Sequence, residues 1–218
     1  MSKFAIALLC VVSFAVAVGC ESLTGPVVKD PTQPAESGGL SSGGSADWIK
    51  DSQAPYKISL HANPAVGQWA EWEASGMKQK WAVVGEQDGK FWVEYQYLVG
   101  QDQVVFAYLS DKDGNVTKAY GGLSGKEGVE LKIMEKPAGT AEVKGREVSK
   151  TAEKVTVKGG SFDTQKIVWE MEYDGKKMET TSWRNDNVYF TKLVKAENME
   201  LIGSGTDAKA SLKIPAGK

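Results

Sequence analysis

From Tyr56 onward the chain alternates apolar and polar positions, with turn residues roughly every ten positions; this is the period of strands, not of helices. Residues 68–74 and 79–86 flank a Ser75-Gly76 turn, and Gln87-Asp88-Gly89 leads into 91–99. In that strand Phe91, Val93, Tyr95, Tyr97 and Val99 share one face, because side chains alternate with a period of two. Asp-Gly suits a type I′ hairpin turn, which needs positive φ at both central residues. Further strands are expected at 104–110, 116–120 and 129–134, separated by an Asp111-Lys112-Asp113-Gly114 turn and a flexible loop over 121–128. Residues 141–153 are charged and can be read as a helix, against which Gly145 and the β-branched residues argue. Strand periodicity returns at 154–158, 162–173, 176–183, 188–196, 199–202 and 212–214, with Asp174-Gly175 as a turn. About ten to twelve strands and little helix predict an all-β fold, either a strongly curved antiparallel sheet or an open β-barrel.

The first 46 residues follow a different pattern. Lys3 precedes an uncharged apolar run, Phe4 to Val18, which ends in Ala17-Val18-Gly19-Cys20. As a helix that run would measure roughly 22 Å, short of the ~30 Å hydrocarbon core of a bilayer, so it reads as a signal segment, not a span. Residues 21–46 are rich in Pro, Gly, Ser and Thr, lack periodicity, and are expected to form a disordered tether. Its reach would be on the order of 25–30 Å. Residues 47–53, with Trp48 and Ile49, read as a helical turn or an entry loop. The expected organisation is therefore 1–19 signal peptide, 20–46 tether and 47–218 β domain.

The tetrapeptide ending at Cys20 resembles the lipobox of bacterial lipoproteins. That resemblance implies cleavage between Gly19 and Cys20, a thioether-linked diacylglycerol on Cys20 and an acyl chain such as palmitate on its new amino group. Several chains on one residue would hold the protein to a membrane, since each buried methylene adds about 0.8 kcal/mol. Glu21, where the family uses Asp for inner-membrane retention, points to the outer membrane, facing the periplasm.

Composition removes several function classes. Formal charge is −2, and loss of residues 1–19 would remove only Lys3, leaving −3, so there is no basic excess to hold nucleic acid. The two cysteines are Cys10, in the signal, and Cys20, so the mature chain is expected to lack disulfides and cysteine-bound metal. Candidate chemistry is sparse. Asp111-Lys112-Asp113-Gly114-Asn115 opens like a calcium loop, but the sixth and twelfth positions are Val116 and Gly122. Residues 121–126 fall one short of a phosphate loop, and Glu127 replaces the magnesium-binding hydroxyl. His61 is the sole histidine and reads as a surface residue. Glu71/Glu73 and Glu170/Glu172 are paired carboxylates that suit the solvated side of strands better than glycoside hydrolysis. No catalytic residue, metal or cofactor is expected.

Trp69, Trp72, Trp81, Trp92, Trp169 and Trp183 all fall on expected strands; Trp69/Trp72 and Phe91/Trp92 point to opposite faces. Aromatics on both faces suit a filled core with tryptophan rims, a concave apolar cavity, or a partner-binding face. Gly67-Gln68-Trp69 and Gly160-Ser161-Phe162 resemble strand starts, and Met199-Glu200-Leu201 a late strand, of half-barrel lipoproteins related to the Lol lipoprotein carriers. In that family helices cross the barrel mouth, and here only 141–153 offers one. The expected function is thus a membrane-anchored, non-enzymatic binding or envelope-structural domain, with a lipid or lipoprotein carrier of the Lol type as the alternative. Expected partners are the membrane, through Cys20, and a hydrophobic ligand or an envelope protein. Phe91, Val93, Tyr95, Tyr97 and Val99 are the candidate ligand-facing residues.

Overall fold

Tight turns drive the pairing of sequence neighbours. Ser75 and Gly76 take φ of 51° and 80°, and Asp88 and Gly89 take 52° and 73°. Two consecutive positive values match the right-handed twist of the flanking strands. The computed structural model describes residues 47–136, 144–173 and 176–215. The signal, Cys20, the tether and the Asp174-Gly175 turn lie outside these.

One helical turn, α1 (Asp47–Lys50), precedes β1 (Gln53–Ala54), β2 (Trp69–Ala74), β3 (Met77–Gln87), β4 (Lys90–Val99), β5 (Asp102–Ser110) and β6 (Val116–Leu123). There follow β7 (Val129–Glu130), β8 (Lys132–Ile133), β9 (Lys144–Val157), β10 (Gly160–Tyr173), β11 (Lys176–Arg184), β12 (Leu193–Ala196) and β13 (Met199–Gly205). Eleven strands form one antiparallel sheet in the order β7-β6-β5-β4-β3-β2-β13-β12-β11-β10-β9, while β1 and β8 make a small parallel pair. The all-β fold of the sequence reading is thus present as an open sheet, since β7 and β9 end it without pairing to each other. It is also rolled. Lys158, at the turn of the outermost hairpin, reaches Glu73 at 3.0 Å and Glu200 at 3.4 Å, and the Gly159 N–H donates to the Leu201 carbonyl at 3.0 Å.

One face of the sheet carries the main core. Ala70, Trp72, Val83, Val93, Val104, Phe106, Tyr108 and Leu201 are buried together, with Ile49 and Ile58 from the segment before β2. On β5 every residue from Val104 to Ser110 is buried, so both of its faces are covered. The outer cover is the C-terminal segment, whose Leu212 packs with Val105, Ala107 and Tyr120. Its backbone is fixed by Glu94, wholly buried on the outer face of β4. The Ser211 N–H donates to both Glu94 carboxylate oxygens, at 2.9 and 3.0 Å, and the Leu212 N–H donates to one at 2.9 Å. Gln96 Nε2 adds a bond of 2.8 Å to the carboxylate and reaches Ser211 Oγ at 3.0 Å. Gly121 and Gly122 allow β6 to be sandwiched: a Cβ on the first would meet Ile49 at 2.6 Å, and on the second Leu212 at 2.7 Å.

Several sequence expectations are corrected. The charged stretch at 141–153 is not helical over its described residues 144–153, which belong to β9 and pair along β10; residues 141–143 lie outside the described set. Long-range pairing overrides a weak helical preference there. The expected strand at 188–196 survives only as β12, because Phe190 and Lys192 take φ of 62° and 59° and the chain turns Phe190 inward. The strand at 129–134 is split at buried Leu131 into β7 and β8. Residues 121–123 continue β6 and are no loop, and 212–214 form only an isolated bridge, Lys213 to Glu127. β9 is a long exposed edge, interrupted by a register shift opposite Val168/Trp169, and carries Arg146, Lys150 and Lys154. Bulges and basic side chains are devices that keep sheet edges from associating.

Glu94→Gln should lower the unfolding free energy by about 2 kcal/mol, because the amide nitrogen turns a donor towards the backbone N–H groups it replaces an acceptor for. Urea denaturation measures this, and hydrogen exchange at Ser211 and Leu212 should quicken selectively.

Candidate functional site

The candidate ligand-facing strand is β4, and the structure places four of its five residues along the inner core. Val93 is fully buried, with Phe91, Tyr95 and Tyr97 packed against the same cluster. Val99 is not among them: it lies at the β4–β5 turn, 46% exposed. Register aligns Trp81, Tyr95 and Phe106 on neighbouring strands, and Val83, Val93 and Tyr108 one step along. Directly opposed residues in antiparallel strands share a face, so the inner wall becomes a continuous aromatic row. Trp81 and Tyr95 have ring centroids 4.8 Å apart, Tyr95 and Tyr97 5.4 Å, and Tyr97 stacks on Phe106 at 6.2 Å. Phe190 closes on Trp81 at 6.1 Å, and Trp48 leans on Phe106 at 6.5 Å. The polar tips are also engaged, with Tyr95 Oη donating to Gln79 Oε1 at 3.1 Å and Trp72 Nε1 to the Leu193 carbonyl at 2.9 Å.

At the β4–β5 end of this row the surface is open. A cleft of about 390 Å³ is lined by Ser75, Gly76, Met77, Lys78, Leu98 and Gly100. Met77, Leu98 and neighbouring Val99 leave apolar area in water there.

The other sequence motifs resolve into structural roles. Asp111 Oδ1 accepts the N–H groups of Asp113 and Asn115, and Oδ2 accepts Asn115 Nδ2, all at 2.9 Å. Both oxygens thus serve the hairpin turn, and the hydrogen bonds from Asn115 hold the Asp111 carboxyl below its usual range against a burial effect that would raise it. Glu73 is bound by Lys158, and Glu170 by Arg146 at 3.0 Å and Lys177 at 3.5 Å, as expected of a solvated side. His61 is half-buried, not simply on the surface, with its ring edge-on to Tyr189 at 5.6 Å. Among the described residues no three His, Cys, Asp or Glu side chains cluster as metal ligands do. Trp69 and Trp72 do point to opposite faces: Trp69 Nε1 donates to Asp207 at 2.7 Å outside, and Trp72 is in the core.

Glu94 escaped the sequence reading because alternation assigns its position to solvent. The available signal was on the next strand, where Val104-Val105-Phe106-Ala107-Tyr108-Leu109 is apolar at every position and so demands cover on both faces.

Burial pushes the Tyr95 and Tyr108 hydroxyls far above the ordinary tyrosine value, and Tyr97 up to about 12. Above pH ~10 unfolded tyrosines release protons that these retain when folded, so stability should fall as pH rises towards 12. Tyrosinate absorbance is expected to show Tyr95, Tyr97 and Tyr108 ionising only as the protein unfolds. No family model matches this chain, and neither a curated protein nor a solved structure matches it.

Proposed function

We propose that this chain is a lipid-anchored protein of the bacterial envelope whose β domain acts by binding or as a structural module, without catalysis. The reading of its address rests on the lipobox ending at Cys20 and on Glu21, which favours the outer membrane on its periplasmic side. The observation that carries the rest is the packed inner wall: Val93 has no exposed surface, and the aromatic row beside it is closed by Phe190. Side chains occupy the place where a carrier would keep an apolar cavity. Catalysis is left out because one member of each carboxylate pair, Glu73 and Glu170, is engaged by Lys or Arg on the solvated side.

A hydrophobic-ligand carrier of the Lol type is the second reading, favoured by one observation: the sheet remains open between β7 and β9. The stretch that offered a lid helix, however, is strand over residues 144–153.

Two measurements test these readings. Cys20→Ser should abolish incorporation of an alkyne fatty acid in cells, since serine cannot form the thioether; label retained on the variant would remove the lipoprotein reading. Val93→Ala should cost roughly 2–3 kcal/mol in chemical denaturation, through lost transfer energy plus a cavity, and wild type should not take up a fluorescent fatty-acid probe. A cost well under about 1 kcal/mol with probe uptake would favour the carrier, as would tolerance of Val93→Trp, which overpacks a filled core.

A further inference from the structure

The chain contains two arginines among its 26 basic residues, and their settings are opposite. Arg146 is exposed and paired with Glu170 at 3.0 Å. Arg184, at the end of β11, is largely buried, and burial lowers its guanidinium from the usual value, with no carboxylate among the described residues acting to raise it. Its Nε donates to Ser182 Oγ at 3.4 Å and its Nη1 to the Thr191 carbonyl at 3.1 Å. The nearby carboxylate of Asp186 is taken by Lys192 at 2.6 Å.

Register fixes which way this group faces. Ala74 lies opposite Met199, Met199 opposite Ala196, Ala196 opposite Ser182, and Ser182 opposite Ile167. Opposed residues share a face, so Ser182 is on the inner side of the sheet, and the bond from Arg184 to its hydroxyl keeps the guanidinium there. Gln165 stands opposite Arg184 in the pairing of β10 with β11. The same face carries a second unmet donor, since Trp169 Nε1 is buried with no hydrogen-bond partner.

A guanidinium has five N–H donors, and the two bonds to Ser182 and Thr191 leave its far edge free. Sequestering a cation from water without an anion is unfavourable. Holding one loop carbonyl does not require it, and at nearly every other basic position the chain uses lysine. What arginine alone supplies is a planar fork that takes both oxygens of an oxyanion.

We propose that Arg184 anchors an oxyanion-binding site on the inner face of β10–β11, taking a carboxylate or a phosphate group on the free edge of its guanidinium, flanked by Ser182 and Gln165. The inference does not rest on the envelope reading.

The test is a titration of the full-length chain, labelled with ¹⁵N at arginine. Nε–H resonances are followed against sodium phosphate and, separately, sodium acetate, each compared with sodium chloride at equal ionic strength. Arg184 is expected to shift saturably while Arg146 does not, and the anion that saturates at lower concentration identifies phosphate or carboxylate as the natural group. Failure of both anions to move Arg184 beyond chloride overturns the proposal, as does parallel, unsaturable movement of both arginines. Arg184→Lys keeps the charge but loses the fork, and affinity measured by calorimetry should fall about tenfold. An unchanged affinity also overturns the proposal. If that variant does not fold, the wild-type titration still decides.

Discussion

A carboxylate removed from water must have its acceptors filled, and around Glu94 that requirement organises one whole side of the molecule. Its partners are backbone N–H groups of Ser211 and Leu212, which have no place in the sheet ladder and would otherwise need water. The bond places Leu212 over Val105, Ala107 and Tyr120, and so allows β5 to be apolar on both faces. With β5 covered outside, its inner residues Phe106 and Tyr108 can commit to the aromatic row without balancing polarity along the strand. The glycines at 121 and 122 complete the arrangement by letting α1 and the C-terminal segment approach β6 from opposite sides. The N-terminal turn and the C-terminal segment are thus both tied to β5 and β6.

The succession of antiparallel hairpins was legible because most of its information is local. Turn residues at Ser75-Gly76 and Asp88-Gly89 force neighbours to pair, and alternation then assigns faces, as it does correctly for Trp69 against Trp72 and Phe91 against Trp92. Sequence reasoning failed where a distant segment decides the outcome. Residues 144–153 look equivocal alone and become strand because β10 supplies a partner along their whole length. Residues 188–192 look like strand, yet the chain turns there because Phe190 finds Trp81 across the core. The candidate site was legible to the same degree: Phe91, Val93, Tyr95 and Tyr97 fall on the inner wall, whereas Val99 is exposed at the β4–β5 turn and the alternation alone could not say so. Arg184 and Glu94 gave no local sign, since the meaning of each depends on which charges the fold brings near.

The two halves of the inner surface differ in kind. From β2 to β5 it is packed with aromatic rings, among which Tyr95 and Trp72 give their polar hydrogens to Gln79 and to the Leu193 carbonyl. From β10 to β11 it carries Arg184 and the Trp169 indole N–H, which have no counter-ion and no acceptor, respectively, among the described residues. A filled half stabilises a domain that has no cysteine, and the proposed oxyanion site lies on the other half.

The β9 edge bears on how many copies can live side by side. Tethering to a surface confines proteins to a plane and raises their local concentration far above that in solution, the setting in which one sheet edge most readily templates another. A break in register partway along that edge and its charged side chains, Lys150 and Lys154 among them, make two such edges poorly matched. On the proposed membrane-anchored reading, an open sheet can therefore be crowded without growing into a fibre, and a chain that gives up barrel closure has to solve that problem by other means.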